Sequence, residues 1–285
     1  MKIGIIGSEN SHSLAIAKTI NIEKTIKNFS VEFLWGESKK LAQAVAKKGK
    51  IPNVVKDPSE MLGKIDALIV DHRHPKHHLA AALPFIKKGI PVFIDKPLCF
   101  NSGKGEKFLQ LAKQTGSPVT SFSVVPEQKK FKRFIIKKDR IGRVWAGATY
   151  GVCDVESPYG GIFFYGIHQV EMALQAFGFN VDRVFISRNP NGATGQLIYS
   201  DNKIITLNFI KEGCSGFSIG AVGEKGAVFE NITFDSNPYL NGIKTFTRMF
   251  KTRQEPQVHA ELLVPVKILE ALARSIKSRK IERVD

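Results

Sequence analysis

The sequence predicts an α/β protein in two parts: a doubly wound parallel sheet, then a second domain built on an antiparallel sheet. Three observations predict it. The first 123 residues alternate short β-branched apolar runs with amphipathic stretches, the pattern of a parallel sheet covered by helices. Past Pro126 the texture changes to strand-like runs separated by Asn, Gly and Asp turns. A chain of 285 residues fits two domains better than one. The expected division is 1–123 for the parallel-sheet domain and 124–285 for the second, with the closing helix 262–276 free to pack back on the first.

In the first part, strands are expected at Lys2 to Ile6, Val31 to Trp35, Ala67 to Asp71, Pro91 to Ile94 and Val119 to Ser123. Ser38 to Lys47 reads as a helix, and Asp57-Pro58-Ser59-Glu60 opens a short one with an N-cap and Pro at the first helical position. His77 to Lys88 puts Leu79, Ala82, Leu83 and Ile86 on one face and stops at Gly89; Ser102 to Thr115 repeats the design with Gly116. In the second part, a basic helix to Lys138 precedes a strand from Arg143 to Tyr150 and a long apolar helix ending at Phe177. Strands are then expected at Val181 to Ser187, Gln196 to Tyr199, Ile204 to Phe209, Phe217 to Ala221 and Ala227 to Ile232. Leu262, Val266, Leu269, Ala273 and Ile276 form a closing helical stripe.

Composition narrows the class. No apolar run approaches the roughly 20 residues a bilayer demands, so no membrane partner is expected. The start, Met1-Lys2-Ile3-Gly4-Ile5-Ile6-Gly7, reads as a strand rather than a leader. Cys99, Cys153 and Cys214 are widely spaced without a C-x-x-C, which indicates neither a disulfide framework nor a zinc knuckle and fits a reducing cytoplasm. The formal charge of +16 comes from lysines scattered as pairs such as Lys39-Lys40 and Lys87-Lys88, the pattern of solvated helix faces. Without a basic-aromatic motif, nucleic acid is not an expected partner.

Five clusters carry chemistry. Gly7-Ser8-Glu9-Asn10-Ser11-His12 stands where the first strand turns into the first helix, a place where bare amides receive a pyrophosphate. Only Gly7 of a G-x-G-x-x-G pattern is present, with Glu9 and His12 at the other glycine positions, while Ser8, Asn10 and Ser11 keep the capacity to cap amides or donate to an anion. After the second strand, Gly36 holds the usual ribose-gripping acidic position and Glu37 follows it; Lys39 and Lys40 would instead suit a 2′-phosphate, so NAD and NADP both stay open. Asp71-His72-Arg73-His74-Pro75-Lys76-His77-His78 follows a strand at its carboxyl end, where open α/β sheets bind ligands, and contact of Asp71, His72, Arg73 and His78 with ribose and phosphates is expected. A metal held by His74 and His78 is the alternative there, opposed by Pro75 and by the missing H-E-x-x-H pattern, and no metal is assigned. Asp95-Lys96-Pro97 ends a strand with a lysine able to hydrogen-bond a substrate hydroxyl, and Pro97 invites a cis bond. Further on, His168 lies on an otherwise apolar helix face with Phe164 at i−4 and Tyr165 at i−3, which makes Tyr165 the nearest acid-base partner.

These signals occur in one order. With His78 eleven residues before Gly89, Asp95-Lys96-Pro97, Ile141-Gly142-Arg143-Val144, Gly160-Gly161 before Gly166-Ile167-His168, and Gly223-Glu224-Lys225-Gly226, the chain resembles the glucose-fructose oxidoreductase/inositol dehydrogenase (Gfo/Idh/MocA) family along nearly its whole length. The resemblance implies a Rossmann domain and a C-terminal α+β domain with an open, mostly antiparallel sheet used for a homodimer or homotetramer. It implies NAD(P)-dependent oxidation or reduction of a sugar, cyclitol or related polyhydroxylated small molecule. Carried over, Lys96 corresponds to the lysine that contacts the reacting hydroxyl and His168 to the histidine proposed to shuttle its proton. The family usually places Asp four residues before that histidine, where this chain has Phe164, so either Tyr165 compensates, or His168 works alone, or catalysis is lost. The last case defines the alternative: a dinucleotide- or sugar-binding sensor.

Overall fold

A computed structural model describes residues 1–213 and 216–285; Cys214 lies outside the described residues. The chain divides into two compact units, Met1–Phe122 with Tyr239–Leu262, and Ser123–Pro238 with Leu263–Asp285.

The first unit is built on a parallel sheet of β1 (Lys2–Ile6), β2 (Ser30–Trp35), β3 (Asn53–Val54), β4 (Ala67–Val70), β5 (Val92–Ile94) and β6 (Val119–Thr120), in the order β3-β2-β1-β4-β5-β6. The central strands read as continuous apolar runs because helices cover both faces: Ile3, Ile5, Ile6 and all four residues of β4 are buried. The crossovers carry α1 (Ser11–Ala17, extended by a wider turn to Ile22), α2 (Lys39–Gly49), α3 (His78–Ile86) and α4 (Ser102–Thr115). Local chemistry sets their ends. Asp57 and Glu60 form a reciprocal capping box on a single 3-10 turn, Asn101 caps α4, and Gly116 closes it at φ 66°. The two-residue strand β3 was not expected from the sequence, being too short to show a period.

The segment that joins this unit from late in the chain is Tyr239–Leu262, not the 262–276 stretch, most of which belongs to the second unit. Its helix α7 (Leu240–Thr252) buries Ile243, Phe246, Met249 and Phe250, with the Phe246 ring 4.5 Å from that of Phe93. Gly242 lets it approach, since a Cβ there would stand 2.9 Å from the Phe122 ring.

The second unit contains α5 (Lys129–Lys138), β7 (Val144–Val152), α6 (Ile162–Phe177), β8 (Val181–Asn189), β9 (Gly192–Tyr199), β10 (Ile204–Ile210), β11 (Phe217–Gly223), β12 (Gly226–Ile232), most of α8 (His259–Ser278) and β13 (Glu282–Arg283). Its sheet runs β12-β11-β7-β10-β9-β8-β13 and is mixed. As expected it is mostly antiparallel, with one parallel pair: β10 pairs in parallel with β7 from Ile204 opposite Ala146 to Ile210 opposite Val152. β9 and β10 form a hairpin, so β10 reaches β7 only after a long excursion, which fixes the parallel sense. Helix α6 packs on β7 and β10, braced by buried Gln169, which accepts from Thr149 Oγ1 at 3.0 Å and donates to Gly151 O at 3.1 Å. The basic helix α5 is pinned to β12 through Glu230, whose carboxylate meets Lys137 at 2.9 Å and Lys130 at 3.2 Å. No helix among the described residues is long and apolar enough to cross a membrane.

Candidate functional site

The strand order reverses direction between β1 and β4, and a sheet of this kind opens a crevice outside the carboxyl ends of those two strands. Gly7 follows β1 and Asp71 follows β4. Gly7 sits at φ 117°, and a Cβ on it would stand 2.5 Å from the Asp71 carbonyl, so the close approach of the two strand ends needs glycine whatever the ligand. Gly36 is required similarly, since a side chain there would run into Ser8.

Around this crevice two hydrogen-bonded groups form. In the first, Glu37 Oε2 accepts the Ser8 amide at 2.9 Å, and Glu37 Oε1 lies 2.7 Å from His72 Nδ1. Burial works to raise the Glu37 pKa, but the His72 hydrogen bond and the backbone amides of Glu37 and Ser8 outweigh it and bring it down to about 2. In the second, Asn10 Nδ2 donates to Asp71 Oδ1 at 2.9 Å and to Asp95 Oδ2 at 3.1 Å, while His12 Nδ1 lies 3.0 Å from Asp95 Oδ1. Lys96 Nζ stands 3.7 Å from Asp95 Oδ2 with its side chain 6% exposed. The two acids are driven apart. Burial and the neighbouring Asp95 charge push Asp71 well up, whereas for Asp95 the charges of His12 and Lys96 overcome burial and hold it well below the usual carboxylate range. Asp71 Oδ2 is buried without a hydrogen-bond partner.

The sequence-expected residues are thus sorted by the structure. Gly7, Ser8, Asn10, His12, Glu37, Asp71, His72, Asp95 and Lys96 come together at the strand ends, and the Lys96–Pro97 bond is cis. Glu9, Ser11 and Arg73 are exposed. His78 is corrected. It is fully buried, its Nδ1 is 2.9 Å from Pro97 O and its Nε2 2.9 Å from His72 O, so both nitrogens face main-chain carbonyls and neither is open to a ribose, a phosphate or a metal. Burial pushes its pKa down to about 4. The His12, Asp71 and Asp95 ligand atoms lie within 4.8 Å of one another, a spacing that admits a cation. Here Lys96 brings positive charge from within the chain, and Asn10 donates to both acids.

The second unit holds His168 on α6, 5% exposed. Its ring meets the Tyr165 ring edge-on at 5.4 Å and the Phe217 ring at 5.2 Å. The expected proximity of Tyr165 is therefore present, while Phe164 packs its ring on Tyr159 and Tyr165. His168 Nδ1 lies 2.7 Å from Ser123 Oγ, and Glu171 Oε2 accepts the Ser123 amide at 2.7 Å. Sequence reasoning passed over Ser123 and Glu171 because they are a lone serine at a strand end and one glutamate on an apolar helix; only the buried Glu171 position, one helical turn after His168, was a signal to follow.

The residues suit a dinucleotide. A carboxylate offers about four acceptor positions, so Glu37 keeps lone pairs for ribose hydroxyls after binding Ser8 and His72. The buried, unpartnered Asp71 Oδ2 marks polar capacity at the crevice, and the first turn of α1 has no side-chain cap because Asn10 is turned to the two acids.

Comparison with known proteins supports the same placement. Residues 1–122 match the Gfo/Idh/MocA family, described as an oxidoreductase family with an NAD-binding Rossmann fold. No curated protein matches the sequence. Among solved structures, the fold is shared with scyllo-inositol dehydrogenase from Lactobacillus casei with bound NAD(H) and scyllo-inositol, at TM-score 0.84 and 15% identity over 100% of this chain and 99% of that one. It is shared equally with myo-inositol 2-dehydrogenase from Lactobacillus plantarum, at TM-score 0.85 and 15% identity over 100% and 99% of the two chains. The strand order and the Gly7 turn agree with that match: residues 1–122 are similar to the NAD-binding Rossmann fold of the Gfo/Idh/MocA oxidoreductase family.

Proposed function

We propose that the protein is an NAD-dependent dehydrogenase that moves a hydride between a polyhydroxylated small molecule, a sugar or cyclitol, and the nicotinamide. The single observation that carries the reading is Lys96, buried beside ionised Asp95 at the carboxyl end of β5, in a unit whose sequence matches this oxidoreductase family. Bound nicotinamide supplies the hydride acceptor or donor. The chain's own residues do the rest. Glu37, kept ionised, holds ribose hydroxyls and repels a 2′-phosphate, which favours NAD over NADP. Lys96 contacts the reacting hydroxyl, and the Lys96/His168 pair holds or moves its proton, with Tyr165 as the neighbour of His168 in place of the carboxylate that Phe164 displaces.

The open face of the second unit's sheet supports a homo-oligomer. Trp145, Tyr150, Ile204, Val222 and Phe229 are large apolar side chains exposed together on β7, β10, β11 and β12, and a contiguous exposed apolar patch marks an interaction surface. The test of the catalytic reading is turnover over a panel of inositols and sugars with NAD. Lys96→Ala and His168→Ala are each expected to lower kcat/KM by about 10²–10⁴-fold, with cofactor binding retained; wild-type turnover in both variants would overturn it.

A further inference from the structure

We infer that Ser123 is a positioning residue that sets the tautomer of His168, fixing the neutral imidazole with its proton on Nε2. The hydrogen-bond geometry carries this by itself; its catalytic meaning rests on the proposal that His168 faces the substrate.

Ser123 is fully buried, and among the described residues its bonds are three. Its amide donates to Glu171 Oε2 at 2.7 Å, its Oγ accepts the Val125 amide at 3.0 Å, and its Oγ lies 2.7 Å from His168 Nδ1. A hydroxyl has one proton to give and two lone pairs to offer. The Val125 amide can only donate, so it occupies a lone pair. That leaves His168 Nδ1 as the acceptor within reach of the hydroxyl proton. Were Nδ1 itself protonated, Nδ1–H and the Val125 amide would both donate to Oγ and the proton of the fully buried Ser123 hydroxyl would have no acceptor among these bonds, an arrangement buried polar groups avoid. Nδ1 is therefore the acceptor, and the ring proton of the neutral form sits on Nε2. Glu171, one turn along α6 from His168, fixes the Ser123 backbone, so the hydroxyl and the ring it orients are held on the same helix face.

The consequence concerns proton traffic. Neutral His168 presents an N–H to the substrate oxygen and has no lone pair at that nitrogen with which to take a hydroxyl proton. Giving up the Nε2 proton would leave an imidazolate. His168 thus enters the reaction as a hydrogen-bond donor that polarises the oxygen. Of the proposed pair, His168 is therefore the hydrogen-bond donor and not the group that takes the hydroxyl proton in oxidation.

Ring ¹⁵N NMR of the uniformly labelled full chain tests this, with His168 assigned among the seven histidines by its disappearance in His168→Gln. At a pH where the ring is neutral, we expect a pyridine-type Nδ1 and a pyrrole-type Nε2. In Ser123→Ala the two shifts should move toward each other and kcat should fall about five- to tenfold, the size of one neutral hydrogen bond, with KM unchanged; Ser123→Thr, which restores the hydroxyl, should recover both. A protonated Nδ1 in the wild type, or tautomer shifts that Ser123→Ala leaves in place, would overturn the inference, and the wild-type spectrum decides the matter even if the alanine variant fails to fold. Unchanged turnover in His168→Gln would instead remove the catalytic role of His168 and leave the tautomer assignment standing.

Discussion

His72 Nδ1 lies 2.7 Å from Glu37 Oε1, and the pair ties the end of β4 to the end of β2 across the intervening β1. The bond keeps Glu37 ionised and so places a fixed negative charge where a Rossmann unit meets the adenosine ribose.

From this follows a cofactor preference. Titration with NAD and NADP is expected to show at least about tenfold tighter binding of NAD, and Glu37→Gln to narrow that gap by removing the charge that opposes a 2′-phosphate. Equal affinities in the wild type would refute the role of Glu37. Because the folded Glu37 pKa lies near 2, below its ordinary 4.5, its contribution to stability is complete above pH 4.5 and is lost as pH falls toward 2.

Asn10 is the donor shared by two buried acids. Replacing it with alanine leaves Asp71 Oδ1 and Asp95 Oδ2 each short of a bond, and a loss of about 2–3 kcal/mol in urea unfolding is expected, together with weaker cofactor binding. Ser11→Ala, at an exposed neighbouring position, serves as the comparison and should cost under about 0.5 kcal/mol. Equal effects of the two changes would show that the network contributes nothing.

His78 makes stability depend on pH in a different window. Its folded pKa, about 4, lies below its ordinary 6.5, so the unfolded chain binds more protons between those values and stability falls as pH drops through them. Between pH 7 and pH 5 the loss should be about 2 kcal/mol. His74 and His77, also lowered, add to it in the same direction. His78→Gln should show a visibly shallower dependence in denaturation at the two pH values, and an unchanged slope would assign the effect elsewhere.

The exposed apolar face of the second sheet predicts association. Phe229, 57% exposed, and Trp145, 60% exposed, would be buried in a symmetric sheet-to-sheet contact. Phe229→Arg with Trp145→Glu should shift sedimentation from an oligomer to the 31.6 kDa monomer without unfolding the chain. A wild type already monomeric at high concentration would dispose of the interface.

Much of the first unit was legible because its signals are local. The β1 range, the Asn101–Gly116 frame of α4 and the capping box at Asp57 are written in neighbouring residues. The Gly7 turn and Asp95-Lys96-Pro97 were legible as site elements because strand ends in a parallel sheet point to one edge. Helix α7 passed unrecognised although Ile243, Phe246 and Phe250 have helical spacing, since its place beside Phe93 is set by a residue far away in sequence. His78 was misread as a ligand contact for a similar reason. Its two carbonyl partners, His72 O and Pro97 O, are main-chain atoms, and no residue type advertises them.

By itself the sequence determined the alternation of strands and helices, the helix stops, and which polar residues stand at the strand ends, all properties of period and local backbone preference. Tertiary structure alone decided the parallel pairing of β7 with β10, the inward turn of Asn10 and His12 onto Asp71 and Asp95, and the bond between Ser123 and His168. The physical reason is burial. A polar side chain removed from water must take whichever donor or acceptor the packed chain brings within 3 Å, and that partner is chosen by the fold rather than by sequence neighbours.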